Sequence, residues 1–204
     1  MGQGGILKNV YIINGHQPYP FAKGRLNATL VSIAAEVLGA RGYAVETTAV
    51  AEGWDAVTEI ERHKWADVVL MQFPVNWMGT PWVLKKYMDE VYTAGMDGSM
   101  CKGDGRHGPD EGHLYGLGGT LSDTSYMMSL TFNAPRDAFE NPAAPFFDGR
   151  TVDDLMWPMH LNFKFFGMQP LPTFSAHDVM KNPEIDADLS RFRAHLSAHF
   201  PALT

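Results

Sequence analysis

The sequence predicts an α/β domain: a five-stranded parallel sheet in the order 2-1-3-4-5 with helices on both faces. Three observations carry that prediction. Short apolar or β-branched runs alternate with stretches of helical periodicity along the whole chain, the pattern of parallel strands joined by crossover helices. The run Asp67–Phe73 (DVVLMQF) is apolar almost throughout, as a strand covered on both faces must be. Right-handed crossovers then leave few strand orders, and 2-1-3-4-5 puts the ligand site beyond the strand C-termini, where the order reverses between strands 1 and 3.

Each element has a local reason. Leu7 to Ile13 is a β-branched run and reads as strand 1. Leu26, Leu30, Ile33 and Val37 fall at i, i+4, i+7 and i+11, one face of a helix, and Gly42 is placed to end it. Ala44–Val50 reads as strand 2, and Asp55 as the cap of a short helix over Val57–His63. Asp67–Phe73 is strand 3, and Pro81 suits the first turn of a helix reaching about Tyr92. Ser125–Asn133 reads as strand 4. Val152–Phe166 reads as a helix interrupted by Pro158 and closed by Gly167, and Leu171–Ala176 as strand 5. The last helix, Ile185–Phe200, puts Ile185, Leu189, Phe192 and Leu196 on one face. No repeat or linker divides residues 1–204, so one domain is expected. Residues 93–123 lack periodicity and include nine glycines, at 95, 98, 103, 105, 108, 112, 116, 118 and 119. Connections this long are functional or disordered, so this one is either a loose excursion or a lid or dimer arm over the site.

Bulk properties narrow the function. The formal charge of −7 disfavours nucleic acid as a partner. No apolar run reaches the roughly 18 residues of a membrane span, and Met1–Gly5 followed by Val10–Ile13 does not read as a signal peptide. Cys101 is the one cysteine, so no intrachain disulfide forms, and a reducing, cytoplasmic location is expected. Twelve Met, twelve Phe and five Trp fill a core, and such side chains also line sites for flat aromatic ligands.

Three segments meet at the strand C-termini. Ala22, Lys23, Gly24, Arg25, Leu26, Asn27, Ala28 and Thr29 open the first helix, whose free N–H groups and positive dipole end suit a phosphate; Gly24 would admit the anion and Asn27 donate its amide. Val75, Asn76, Trp77 and Met78 follow strand 3 and could wrap an aromatic ring. Thr131, Phe132, Asn133 and Ala134 leave strand 4 with backbone donors and an aromatic face. Other groupings carry less. His195 and His199 lack the Glu of a zinc-protease helix and read as solvated; His107, Asp110, Glu111 and His113 lie among glycines that give a metal no rigid frame. No G-x-S-x-G elbow is present.

At the same segments, NGHQPYPFAKGRLNATL, WADVVLMQFPVNWMGTPWVLKKYMDEVYTAG, YMMSLTFNAP and FFGMQPLPTF resemble the flavodoxin-like NAD(P)H:quinone oxidoreductase superfamily, above all its bacterial NADPH-dependent members. The likeness runs from strand 1 to the last helix. It implies a flavodoxin-like fold, bound FAD, NADPH as reductant, a quinone as substrate and a homodimer with the flavin near the subunit interface. It also implies roles: residues 22–29 at the pyrophosphate, residues 75–78 along the isoalloxazine, residues 131–134 at its polar edge, and Tyr115 as a flavin contact from the long loop. Hydride would pass from NADPH to flavin N5 and on to the quinone in ping-pong order. Two departures stand out. Asn76 occupies a position often held by Trp, and Phe139 falls near the Tyr of the animal enzymes' Tyr/His pair, with no His at the matching spacing. No acid–base residue is therefore assigned. The rivals are an electron-carrying flavodoxin and a non-catalytic flavin sensor.

Overall fold

The computed structural model describes residues 9–203, so Leu7, Lys8 and the Gly-rich lead lie outside the described residues. The elements are β1 (Asn9–Asn14), α1 (Arg25–Ala40), β2 (Ala44–Ala49), α2 (Ala56–Trp65), β3 (Val68–Pro74), α3 (Trp82–Ala94) and β4 (Ser125–Thr131), followed by α4 (Val152–Leu155), α5 (Trp157–Phe165), β5 (Gln169–Pro170), β6 (Phe174–Ala176) and α6 (Ile185–His199). All strand pairs are parallel, in the order β2-β1-β3-β4-β5, with β6 also on β4. The expected order is thus observed.

The expected fifth strand is two short pieces, both on β4. Pro170 and Pro172 explain the break, because neither has an N–H to give the ladder; Leu171, between them, still donates to the Tyr126 carbonyl at 2.7 Å. A second proline effect separates α4 from α5, which has Pro158 in its first turn. Pro81 precedes α3 as its N-cap, one position earlier than expected. Asp55 caps α2 by accepting from Thr58 N–H at 2.9 Å. Gly42, at φ 93, ends α1, with Tyr43 N–H returning to the Leu38 carbonyl at 3.1 Å, the Schellman arrangement.

Two apolar layers sandwich the sheet. One face carries Tyr11, Met71, Phe73 and Leu130 against α2, α3 and α5; the other carries Ile12, Leu70 and Met127 against α1 and α6. Leu30 and Ile33 of α1 and Phe192 and Leu196 of α6 are buried, as their periodicity predicted. His195 is half-buried rather than solvated: its Nε2 lies 2.9 Å from the Pro172 carbonyl, so it ties α6 to the broken fifth strand.

The long connection is built, and it is not a lid over its own chain's site. Met100 and Cys101 are buried, Lys102 N–H donates to the Gly118 carbonyl at 2.7 Å, and Leu121 N–H donates to the Phe166 carbonyl at 2.9 Å. Its closing glycines are sterically required: a Cβ on Gly119 would stand 2.0 Å from the Phe166 carbonyl carbon, and one on Gly118 would stand 2.3 Å from the Gly103 oxygen. The segment packs where α5 ends and β4 and β5 begin, at the edge of the sheet opposite the strand C-termini.

Candidate functional site

The loops after β3, β4 and β6 are laced together by backbone. Val75 N–H donates to the Thr131 carbonyl at 2.9 Å, Phe132 N–H to Ala176 at 2.8 Å, and Val179 N–H to Phe132 at 3.0 Å. The cleft between them has a volume of about 660 Å³, within the roughly 300–1,000 Å³ of ligand sites. Val75, Trp77 and Met78 form one wall. Phe132, Asn133 and Ala134 form another. Six residues expected from sequence thus share one cavity; Asn76 and residues 22–29 are not on its walls.

Trp77 and Met78 sit at the tip of a tight turn in which Asn76 and Gly79 exchange backbone hydrogen bonds at 2.9 and 3.0 Å. Both central residues have positive φ, 49 and 64, as a type I′ turn demands. For side chains other than glycine this costs about 1–2 kcal/mol each. The indole of Trp77 is 97% exposed, so no packing in the chain offsets that cost. A large aromatic held in a strained turn beside a cleft is poised to stack on a ligand.

Behind the second wall, the His177 ring stacks on Phe132 at 5.2 Å and sits within 3.3 Å of the Ala134 carbonyl through Nδ1. Burial first, and then the charges of Arg136 and Arg191, push its pKa down, so the imidazole is neutral. Its Nδ1–H donates to Ala134, and its Nε2 accepts from the Ser175 hydroxyl at 2.9 Å. Phe139 belongs to the packing beneath, stacked on Phe147 at 4.1 Å, and offers no polar group to the cleft. A second hollow of about 580 Å³ shares Pro135, Asp178 and Asn182 with the first and adds Arg136 and Arg191.

The start of α1 has anion-binding character. Its ladder begins with Ala28 N–H to the Gly24 carbonyl, no side chain caps the preceding N–H groups, and no acidic residue lies in the first turn. Lys23 and Arg25 are exposed beside it. Gly24 has a tighter reason than admitting an anion: it is left-handed at φ 78, and a Cβ there would stand 2.2 Å from His16 Nδ1. Asn27 corrects the sequence reading. It shares the inward face of α1 with Leu30 and Ala34, is 5% exposed, and spends its amide inside the protein: Gln72 Nε2 donates to its Oδ1 at 2.8 Å, and its Nδ2 lies 3.4 Å from Thr131 Oγ1. Thr131 likewise turns its hydroxyl inward.

Tyr115 is placed apart. It is 63% exposed and meets Phe165 at the far sheet edge, with the Arg106 guanidinium over its ring. Sequence reasoning missed His16, Gln72, Asp137, Phe147, His177, Asp178, Lys181 and Asn182. The rule that ligands lie beyond strand C-termini already pointed to the loop after the fifth strand, where the last four of these sit.

Among the described residues, no group of His, Cys, Asp and Glu is arranged to hold a metal ion, and no helix is long and apolar enough to cross a membrane. The flavodoxin-like fold family model matches residues 8–200. An uncharacterized protein of Schizosaccharomyces pombe is 44% identical over 191 residues, 94% of this chain and 96% of its own. The NADPH:quinone oxidoreductase MdaB of Haemophilus influenzae is 41% identical over 192 residues, 94% of this chain and 99% of its own. The crystal structure of general stress protein 14 of Treponema denticola, in complex with FMN, superposes with a TM-score of 0.61 at 18% identity, covering 94% of this chain and 98% of that one. By this match and this sheet order, the chain belongs to the flavodoxin-like fold family.

Proposed function

We propose that this protein is an FAD-dependent NAD(P)H:quinone oxidoreductase, using NADPH as reductant and a quinone as acceptor. The observation that carries the reading is 41% identity to the Haemophilus NADPH:quinone oxidoreductase over nearly the full length of both chains. The residues fit a flavin on two counts. The uncapped start of α1, flanked by Lys23 and Arg25, suits a phosphate group, and the exposed indole of Trp77 faces a cleft also walled by Phe132.

A flavin bound here would supply the two-electron redox chemistry between NADPH and a quinone. The chain's own work is holding and orienting. Trp77 and Met78 would stack on one side, the backbone of Asn133 and Ala134 would offer N–H donors to the polar edge, and the neutral His177 holds that backbone in place. No side chain in the cleft is given a proton-transfer role.

Donor and acceptor take turns in the one cleft, so double-reciprocal plots against NADPH at several quinone concentrations are parallel. Intersecting lines would contradict the shared cleft. Heat-released cofactor runs as FAD on chromatography; FMN alone would correct the cofactor, since the Treponema neighbour carries FMN.

The functional unit in this reading is a homodimer. Tyr115 stands at the far edge of its own chain, so a contact with flavin has to come from a second copy. Sedimentation velocity reports the dimer, and Tyr115→Ala lowers flavin occupancy in it. A monomer with full occupancy would remove Tyr115 from the site.

A further inference from the structure

We infer that Gln72 is a positioning residue: with Asn27 and Thr131 it forms a buried clamp that fixes the start of α1 against the loops after β3 and β4. The inference rests on the flavin reading above. It assigns a role to three polar groups that the cleft itself does not use.

Gln72 lies on β3 two residues before Pro74, and its side chain is fully buried on the sheet face covered by α1. That face also carries Ile12, Leu70, Met127 and Leu30, with the buried Ser129 beside Gln72 on β4. A leucine would fill such a place without burying an amide, and a buried amide is costly unless it is bonded. Gln72 is half-bonded: its Nε2 donates to Asn27 Oδ1 at 2.8 Å, while its buried Oε1 has no partner among the described residues. Asn27 then approaches the hydroxyl of Thr131, the last residue of β4, at 3.4 Å. The backbone joins in, because Gly15 N–H, in the loop leading to α1, donates to the Gln72 carbonyl at 2.8 Å.

These contacts link the three segments that the flavin needs in fixed relation. Asn27 is in the first turn of α1, beside the free N–H groups that would meet a phosphate. Gln72 leads into the Val75–Met78 wall, and Thr131 leads into the Phe132–Ala134 wall. A phosphate and a ring belonging to one molecule bind well together only if their two sites are held at the spacing of the ligand. The clamp sets that spacing from below, touching neither part.

The test uses FAD and riboflavin, which differ by the pyrophosphate and adenosine, and measures the affinity of each for apoprotein by quenching of protein fluorescence. Gln72→Met keeps the length and removes the amide. The wild type prefers FAD strongly, and in Gln72→Met that preference falls about tenfold while riboflavin affinity holds. The double variant Asn27→Leu/Gln72→Met replaces both buried partners with apolar groups and guards against misfolding of the single one; it gives the same loss of preference. Equal weakening of both ligands, or no change in either, would overturn the clamp and leave Gln72 a packing residue. A wild type that binds neither ligand would overturn the flavin reading, and the clamp with it.

Discussion

At the residue scale, strain and exposure meet at Trp77. Nothing in the chain covers its indole, so truncation costs the fold almost nothing, while lost stacking weakens flavin binding by about 0.5–1.5 kcal/mol. Trp77→Ala is expected to melt as the wild type does and to hold flavin roughly 2- to 10-fold less tightly, read by titration of apoprotein. Trp77→Gly separates function from strain more sharply. Glycine adopts the left-handed φ at no steric cost, so this variant gains about 1 kcal/mol of apoprotein stability while losing the same affinity. A Gly variant less stable than wild type would show that the turn is not strained. Asn27 shows the limit of residue-level reading. The sequence placed it at the start of α1 but turned its amide toward a ligand rather than inward, because facing in or out depends on how α1 rolls over the sheet.

At the element scale, the 93–123 connection is the best discriminator. Its glycines looked permissive; in the fold, two of them are contact points with no room for a side chain. Gly119→Ala is therefore expected to destabilise the protein by about 1–3 kcal/mol, the cost of overpacking, although position 119 is far from the cleft. Gly108→Ala, where a Cβ meets nothing, is the control and changes the melting temperature little. Equal behaviour of the two variants would return the segment to a loose excursion. The strands and helices were legible because periodicity reports burial directly: β3 and β4 are mostly apolar and buried at all but one terminal residue each. The connection was not legible, since its order comes from backbone contacts with Phe166 and within itself, which leave no periodic signature. The broken fifth strand had a visible cause in Pro170 and Pro172, yet its pairing with β4 is a tertiary fact.

At the scale of the whole molecule, four histidines set the acid limit. His16, His63, His177 and His195 all have their pKa lowered from 6.5, with burial as the leading cause. The fold keeps these imidazoles neutral and the unfolded chain does not, so below about pH 6.5 the unfolded state binds more protons and stability rises with pH. Their stabilisation is complete above 6.5 and is lost as the pH falls towards the folded values. Urea midpoints measured between about pH 5 and 8 should climb to 6.5 and then flatten. His63, fully buried between Tyr11 and Tyr92, contributes to the slope, and His63→Phe reduces it; an unchanged slope would place the proton uptake elsewhere. The central claim, that this fold passes electrons from a nicotinamide to a quinone through a flavin, is tested most directly in two half-reactions. Protein reconstituted with FAD is mixed with NADPH without oxygen, then with a small quinone, while the visible flavin absorption is followed. The account predicts that NADPH bleaches the band and that the quinone restores it. A band that NADPH leaves unchanged, or a bleached band that the quinone does not restore, would contradict it.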